Sequence, residues 1–191
     1  VITKYDVQQH SIEVKDMYTA LEAELLAGRQ EPSVEGLDEA EKREVINEDM
    51  VFGRTLYPVT CVSVGNPHCV IPMREISKNI VCKIGDYSEC AKYFPHRINT
   101  QIMKVIDKEN IAIEIYERGA GYTLASGTGA CAAAAVAHKL GMTNNKVIVH
   151  MPGGDLQVEV EDDGTVFMTG DVFYVAKITL SSEFTENLRS L

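Results

Sequence analysis

The segment from Gly127 to Leu140 is small and apolar on nearly every face. Ala130, Cys131, Ala132 to Ala135, Val136 and Ala137 follow one another without a proline, and Gly141 supplies a C-terminal stop. A helix that is apolar all round has to be enclosed by the rest of the fold. What surrounds it reads as short strands separated by turns. Val59 to Val64 and Cys69 to Ile71 flank Gly65-Asn66-Pro67, and Gln101 to Ile106 and Ile111 to Tyr116 flank a polar turn, which predicts an antiparallel hairpin. Lys146 to His150, Leu156 to Val160, Val166 to Thr169 and Phe173 to Leu180 supply further strands. The expected class is α+β, with a curved, mostly antiparallel sheet wrapped around this one central buried helix.

The texture changes before Leu56. Ile12 and Val14 alternate with polar neighbours as in a short strand, and Met17 to Ala27 carries Leu21, Leu25 and Leu26 in a helical pattern. Glu31 to Met50 holds eight acids against Lys42 and Arg43, so it contributes −6 of the net charge of −10. It reads as a solvated connection rather than an acidic docking face. Three regions are expected: 1–55, the remnant of an N-terminal domain plus the acidic connection; 56–180, the main domain; and 181–191, a tail. The negative charge argues against a nucleic-acid groove, and no apolar run is long enough to span a bilayer. Five cysteines, at 61, 69, 82, 90 and 131, form no CxxC pair, so neither zinc nor a disulfide framework is expected. A reducing cytoplasm is the corresponding expectation.

The stretch from Glu117 to Ala130 carries the chemistry. A strand delivers Glu117 and Arg118 to a glycine-rich loop, and the loop feeds the buried helix. Free amides and the macrodipole make a helix start a site for a carboxylate or phosphate, and glycines at 127 and 129 allow close approach. No Gly-Lys-Ser/Thr follows, so it is not a P-loop; nor does Gly127-Thr128-Gly129 continue as a dinucleotide fingerprint. A glycine-rich turn that only packs the helix is the bland alternative. Asn66 and His68 add an amide and an imidazole around a proline turn, though a lone His68 there is more often a structural turn residue.

Taken together, Gly65-Asn66-Pro67-His68-Cys69-Val70, then Tyr116-Glu117-Arg118-Gly119-Ala120-Gly121, then Gly127-Thr128-Gly129-Ala130-Cys131-Ala132 resemble the diaminopimelate epimerase family. Asn99 after Arg97, Met151-Pro152-Gly153-Gly154 and Met168-Thr169-Gly170 add to the similarity, which runs from about Val59 to Thr179. The resemblance implies a diaminopimelate-epimerase-like fold and epimerisation of an amino acid at Cα without pyridoxal phosphate, metal or other cofactor. The setting would be lysine and peptidoglycan precursor biosynthesis, and a homodimer is compatible with it. One thiolate would take the α-proton while a thiol on the opposite face returns another. Asn66, Asn99, Glu117 and Arg118 would bind the substrate, the amides of Gly127 and Thr128 would hold its α-carboxylate, and His68 and Glu117 would assist proton transfer.

The family's cysteine position is Ser126 here. A hydroxyl is a poor base without a partner, and Cys131, five residues on, points elsewhere. Three readings stand: an engineered Cys→Ser replacement, a naturally divergent member, or a serine serving different chemistry. Tyr122 also departs from the family pattern and could alter the pocket for the distal end of the substrate. The opposing cysteine motif is absent, so the chain is expected to be truncated and unable to racemise unaided. Two rivals remain: a non-catalytic amino-acid-binding homologue, and another isomerase of the same superfold, of the proline-racemase or phenazine-biosynthesis type.

Overall fold

The computed structural model describes residues 2–6, 44–177 and 179–184. The helix expected over Met17–Ala27, the strand at Ile12 and Val14 and the acidic stretch up to residue 43 lie outside them.

Among the described residues, ten strands and two helices make up the core of the fold. The strands are β1 (Ile2–Asp6), β2 (Glu48–Phe52), β3 (Thr55–Ser63), β4 (Pro67–Pro72), β5 (Asn99–Val105), β6 (Asn110–Glu117), β7 (Gly121–Thr123), β8 (Lys146–Met151), β9 (Gly154–Val160) and β10 (Thr165–Thr169). The helices are α1 (Lys78–Ser88) and α2 (Gly127–Lys139). One sheet runs in the order β1-β10-β9-β8-β6-β5-β4-β3-β2, with β7 beside β6. Most pairings are antiparallel, including the β5–β6 hairpin whose alternation is legible in the sequence. Two are parallel, β4 with β5 and β6 with β8. A parallel pair needs a crossover. Here α1 connects the first pair, and α2 lies within the connection of the second.

The two helices occupy opposite faces of the sheet. Val70 and Met103 turn toward α2, whereas their neighbours Cys69, Ile71 and Ile102 turn toward the α1 side, and all five are fully buried. Strands covered on both faces read as near-continuous apolar runs, as β4 does. Helix α2 packs against β3 to β6 and β8 to β10, and every residue from Gly129 to Ala137 is buried. Alanines give it good intrinsic propensity but little apolar area of their own. The larger gain comes from the sheet side chains it covers. Ile111, Ile113 and Ile115 are almost entirely buried against it, each worth roughly 1.5–3 kcal/mol.

Helix α1 is not evident from the sequence reading, although Val81, Ile84, Gly85 and Ser88 form its buried stripe and the Ser77 hydroxyl accepts from the Ile80 amide at 3.4 Å. The expected strand Phe173–Leu180 is not formed over its described residues. Phe173, Tyr174 and Val175 are 80, 82 and 91% exposed in irregular backbone. The outer edge of β10, the strand this segment follows, is already bonded to β1, so the segment cannot pair there. Among the described residues no helix is long and apolar enough to cross a membrane.

Candidate active site

The α2-facing row of β4 and β5 changes from apolar to polar along its length. Val70 and Met103 lie in the core, and then come Gln101, His68 and Asn99, all buried. The parallel register places His68 opposite Asn99 and Val70 opposite Gln101. At that polar end α2 begins. Ser126 is its N-cap, in extended conformation (φ −151°, ψ 119°), and its hydroxyl accepts from the Gly129 amide at 3.2 Å. The Gly127 and Thr128 amides belong to the first turn, where no earlier helical carbonyl can receive them.

Three other motifs hold this helix start. The Gly153 amide donates to the Leu124 carbonyl at 2.7 Å, and a Cβ at Gly153 would come within 3.0 Å of that carbonyl. Only glycine therefore lets the β8–β9 turn lie against the segment leading into Ser126. On the other side, Met168 covers Gly127, its sulfur 3.1 Å from the place a Cβ would occupy. The loop after β6 needs positive φ at Gly119 and Gly121 (78° and 76°), and its Gly119 amide donates to Glu89 Oε1 at 2.8 Å.

His68 is wholly buried, with Nδ1 3.0 Å from Gln101 Oε1 and Nε2 3.0 Å from Asn66 Oδ1. Burial lowers its pKa to about 4, the Gln101 hydrogen bond opposes that shift, and the Arg118 charge adds to it. The ring is therefore neutral at pH 7. Asn99 spends its amide on the backbone, donating to the Pro67 carbonyl at 2.8 Å and accepting from the Arg118 amide at 3.0 Å. Asn99 thus ties the proline turn to the end of β6. We expect Asn99→Ala to cost about 2 kcal/mol, since it strands both backbone groups. Denaturant unfolding would measure this, and a change under 0.5 kcal/mol would mean that water replaces the amide.

Arg118 donates from Nη1 to the His96 carbonyl at 2.9 Å, and Glu117 stands half-buried at the end of β6. The structure thus bonds Asn66 to His68 and, alongside, ties Asn99 to the Pro67 carbonyl and the Arg118 backbone. Gln101 bonds to His68 and brings its Nε2 to 3.1 Å from the place a Cβ on Gly129 would occupy, with no hydrogen bond to the Ser126–Gly129 turn. Gln101 is absent from the residues the sequence singles out; its only signal is a polar side chain two positions after Asn99, on the same face of a strand. Tyr122 lies apart. It packs on the α1 side, donates to Glu114 Oε2 at 2.9 Å and sits under Lys78 Nζ at 4.7 Å, so its role here is packing. Cys131 is fully buried in the α2 core, and desolvation raises its thiol pKa to about 12. Among the described residues no group of three or more His, Cys, Asp or Glu side chains converges as a metal site would.

The family model for diaminopimelate epimerase matches residues 60–175. The chain belongs to the diaminopimelate epimerase family. Diaminopimelate epimerase 2 of Nostoc sp. is 46% identical over 141 residues, covering 74% of this chain and 50% of its own. The diaminopimelate epimerase of Methanocaldococcus jannaschii is 42% identical over 144 residues, 71% of this chain and 48% of its own. That of Brachyspira hyodysenteriae is 33% identical over 187 residues, covering 91% of this chain and 67% of its own. The chain thus spans about half the length of the first two. Among solved structures, a phenazine biosynthesis protein of the PhzF family from Bacillus anthracis superposes with a TM-score of 0.42. At 14% identity over 55% of this chain and 34% of its own, that likeness carries no argument. The matched span of the diaminopimelate epimerase family contains Asn66, His68, Asn99, Glu117, Arg118 and Ser126, together with all of α2.

Proposed function

We propose that this chain is the carboxylate-binding part of a cofactor-independent epimerase that interconverts LL- and meso-diaminopimelate in the cytoplasm. In this reading Ser126 occupies the place of one proton-transferring thiol, and the chain alone does not complete the reaction. The observation that carries the reading is the start of α2. A glycine-rich first turn opens on an N-cap serine, beside a hydrogen-bonded chain of half-exposed Asn66 and buried His68 and Gln101.

An amino acid's α-proton is very weakly acidic, so its removal depends on donors already aimed at the carboxylate that shares the developing charge. The Gly127 and Thr128 amides suit that task. Asn66 and Arg118 would orient the substrate's amino-acid group, and Asn99 would hold the turn that presents Asn66. His68, neutral at pH 7, contributes a fixed dipole, and Glu117 supplies the nearby carboxylate. A helix start depresses the pKa of a thiol placed there, which makes position 126 suited to a cysteine base. Serine gains far less, because its hydroxyl is much weaker as an acid.

The test is solvent-deuterium exchange at Cα of diaminopimelate, in a protein that carries this chain together with the half supplying the opposing thiol. Ser126→Cys should exchange at least about a thousandfold faster than the serine protein. Equal, measurable rates in both would overturn the role of position 126, and neither exchange nor binding of diaminopimelate in either would overturn the substrate. A second reading has its own observation. The Ser126 hydroxyl is occupied in capping Gly129, an ordinary structural task, which favours an amino-acid-binding homologue without turnover. Calorimetric binding of diaminopimelate with no exchange, even after Ser126→Cys, would select that reading.

A further inference from the structure

Gln101 lies within β5, fully buried, on the face turned toward α2. Its Oε1 is 3.0 Å from His68 Nδ1, and its Nε2 has no hydrogen-bond partner. Buried amide groups are rarely left unpaired, so an orphaned donor calls for a reason. Its position supplies one. Nε2 lies 3.1 Å from the point where a Cβ on Gly129 would stand, and the Ser126 hydroxyl oxygen lies 3.2 Å from that same point. The unused donor and the side chain at position 126 therefore flank Gly129 in the first turn of α2.

A neutral imidazole between the two amide oxygens requires one of the amides to turn its NH2 toward the ring. A neutral ring carries one N–H, yet oxygens of both Gln101 and Asn66 stand 3.0 Å from its nitrogens. Gln101 is enclosed, whereas Asn66 is half-exposed and can turn its amide against solvent. With the Asn66 NH2 facing His68 Nε2, His68 donates its Nδ1–H to Gln101. The Gln101 NH2 then stays directed at the helix start.

We propose that Gln101 is a positioning residue: it holds His68 as the Nδ1–H tautomer and offers its free amide N–H to a thiolate at position 126. This rests on the preceding reading of the α2 start as the site of proton transfer. Its physical content is additive. The helix start stabilises an anion through backbone amides, and Gln101 adds a buried side-chain donor from the sheet. Gly129 has to lack a side chain for the two to meet.

The experiment uses the full chain carrying Ser126→Cys, alkylated with iodoacetamide across a range of pH and read by peptide mass spectrometry. That readout separates the introduced thiol from the exposed native Cys90 and the buried Cys69 and Cys131. The introduced thiol should show a pH midpoint below the usual value of about 8.5. Adding Gln101→Leu should raise that midpoint by about one unit and slow alkylation at pH 7 about tenfold. Imidazole nitrogen spectra should show His68 passing from one tautomer to a mixture. Gln101→Glu keeps the acceptor for His68 but replaces the donor by a negative charge, so the tautomer should persist while alkylation slows at least as much. It also carries the test if the leucine variant does not fold. A lowered midpoint that ignores both substitutions overturns the role of Gln101 and leaves the anion site standing. A midpoint equal to that of Cys90 overturns the anion site, and the inference with it.

Discussion

Lowering the pH from 7 to 4 should remove about 3 kcal/mol of unfolding free energy through His68 alone. In the folded chain burial holds this imidazole at a pKa of about 4 against an ordinary 6.5. Below 6.5 the unfolded chain takes up a proton that the folded chain refuses. The contribution is therefore fully present above that value, declines as the pH falls through the window from 6.5 to 4, and levels off below it. Other groups also respond to acid, since the chain carries 28 Asp and Glu. The comparison should thus be made against His68→Gln, with urea unfolding at pH 7, 5.5 and 4. The parent should lose about 3 kcal/mol more than the variant over this range. Parallel losses in the two proteins would show that His68 protonates freely while folded, and the buried neutral ring would have to be abandoned.

Gly85→Ala should be comparably damaging. Gly85 lies within α1, and a Cβ there would overlap the ring of Tyr116 at its Cγ and both Cδ atoms. The ring is held from its far end, where the hydroxyl donates to Asp86 Oδ1 at 2.8 Å. Alanine gains about 1 kcal/mol over glycine in helix propensity, while forcing a side chain into filled space costs about 3 kcal/mol. The steric term wins. A net loss of about 2 kcal/mol corresponds to a fall in Tm of roughly 4–8 °C at this chain length. Combining Gly85→Ala with Tyr116→Ala should recover much of the added penalty, because the obstacle is gone. A Gly85→Ala protein as stable as the parent would mean that the ring yields at little cost.

Helix α2 was legible because its composition is extreme: a run of alanines can only be enclosed. The β5–β6 hairpin was legible because Ile111, Ile113 and Ile115 alternate with Ala112, Glu114 and Tyr116 beside a polar turn, a local signal of a strand. Helix α1 was not, since two of the four residues in its buried stripe are Gly85 and Ser88. Both serve close approach, Gly85 to the Tyr116 ring and Ser88 through a 2.7 Å hydrogen bond to Thr100. Their apolar character is low, so a hydrophobic pattern passes over them. Phe173 to Leu180 failed in the opposite direction. Its composition suits a strand, but pairing depends on a free edge, and β1 takes the edge of β10.

The site divides in the same way. Asn66, His68 and the turn from Ser126 to Gly129 stand in contiguous motifs whose chemistry can be read from residue type and order. Gln101 could not be found so. It meets His68 across 33 residues of sequence, through the register of a parallel pair that only the folded sheet defines. Asn99 is expected from the sequence as a substrate-binding residue, and in the fold its amide bonds to the Pro67 carbonyl and the Arg118 amide.

The central claim is that the first turn of α2 receives an amino acid's carboxylate. Amide nitrogen–proton spectra of this chain, titrated with diaminopimelate, test it most directly. The largest shifts are expected at the Gly127 and Thr128 amides and at the Asn66 side chain, with a Kd on the order of millimolar. Esterifying the ligand's carboxyl groups should abolish them. Shifts that spare Gly127 and Thr128, or that survive esterification, would contradict the claim.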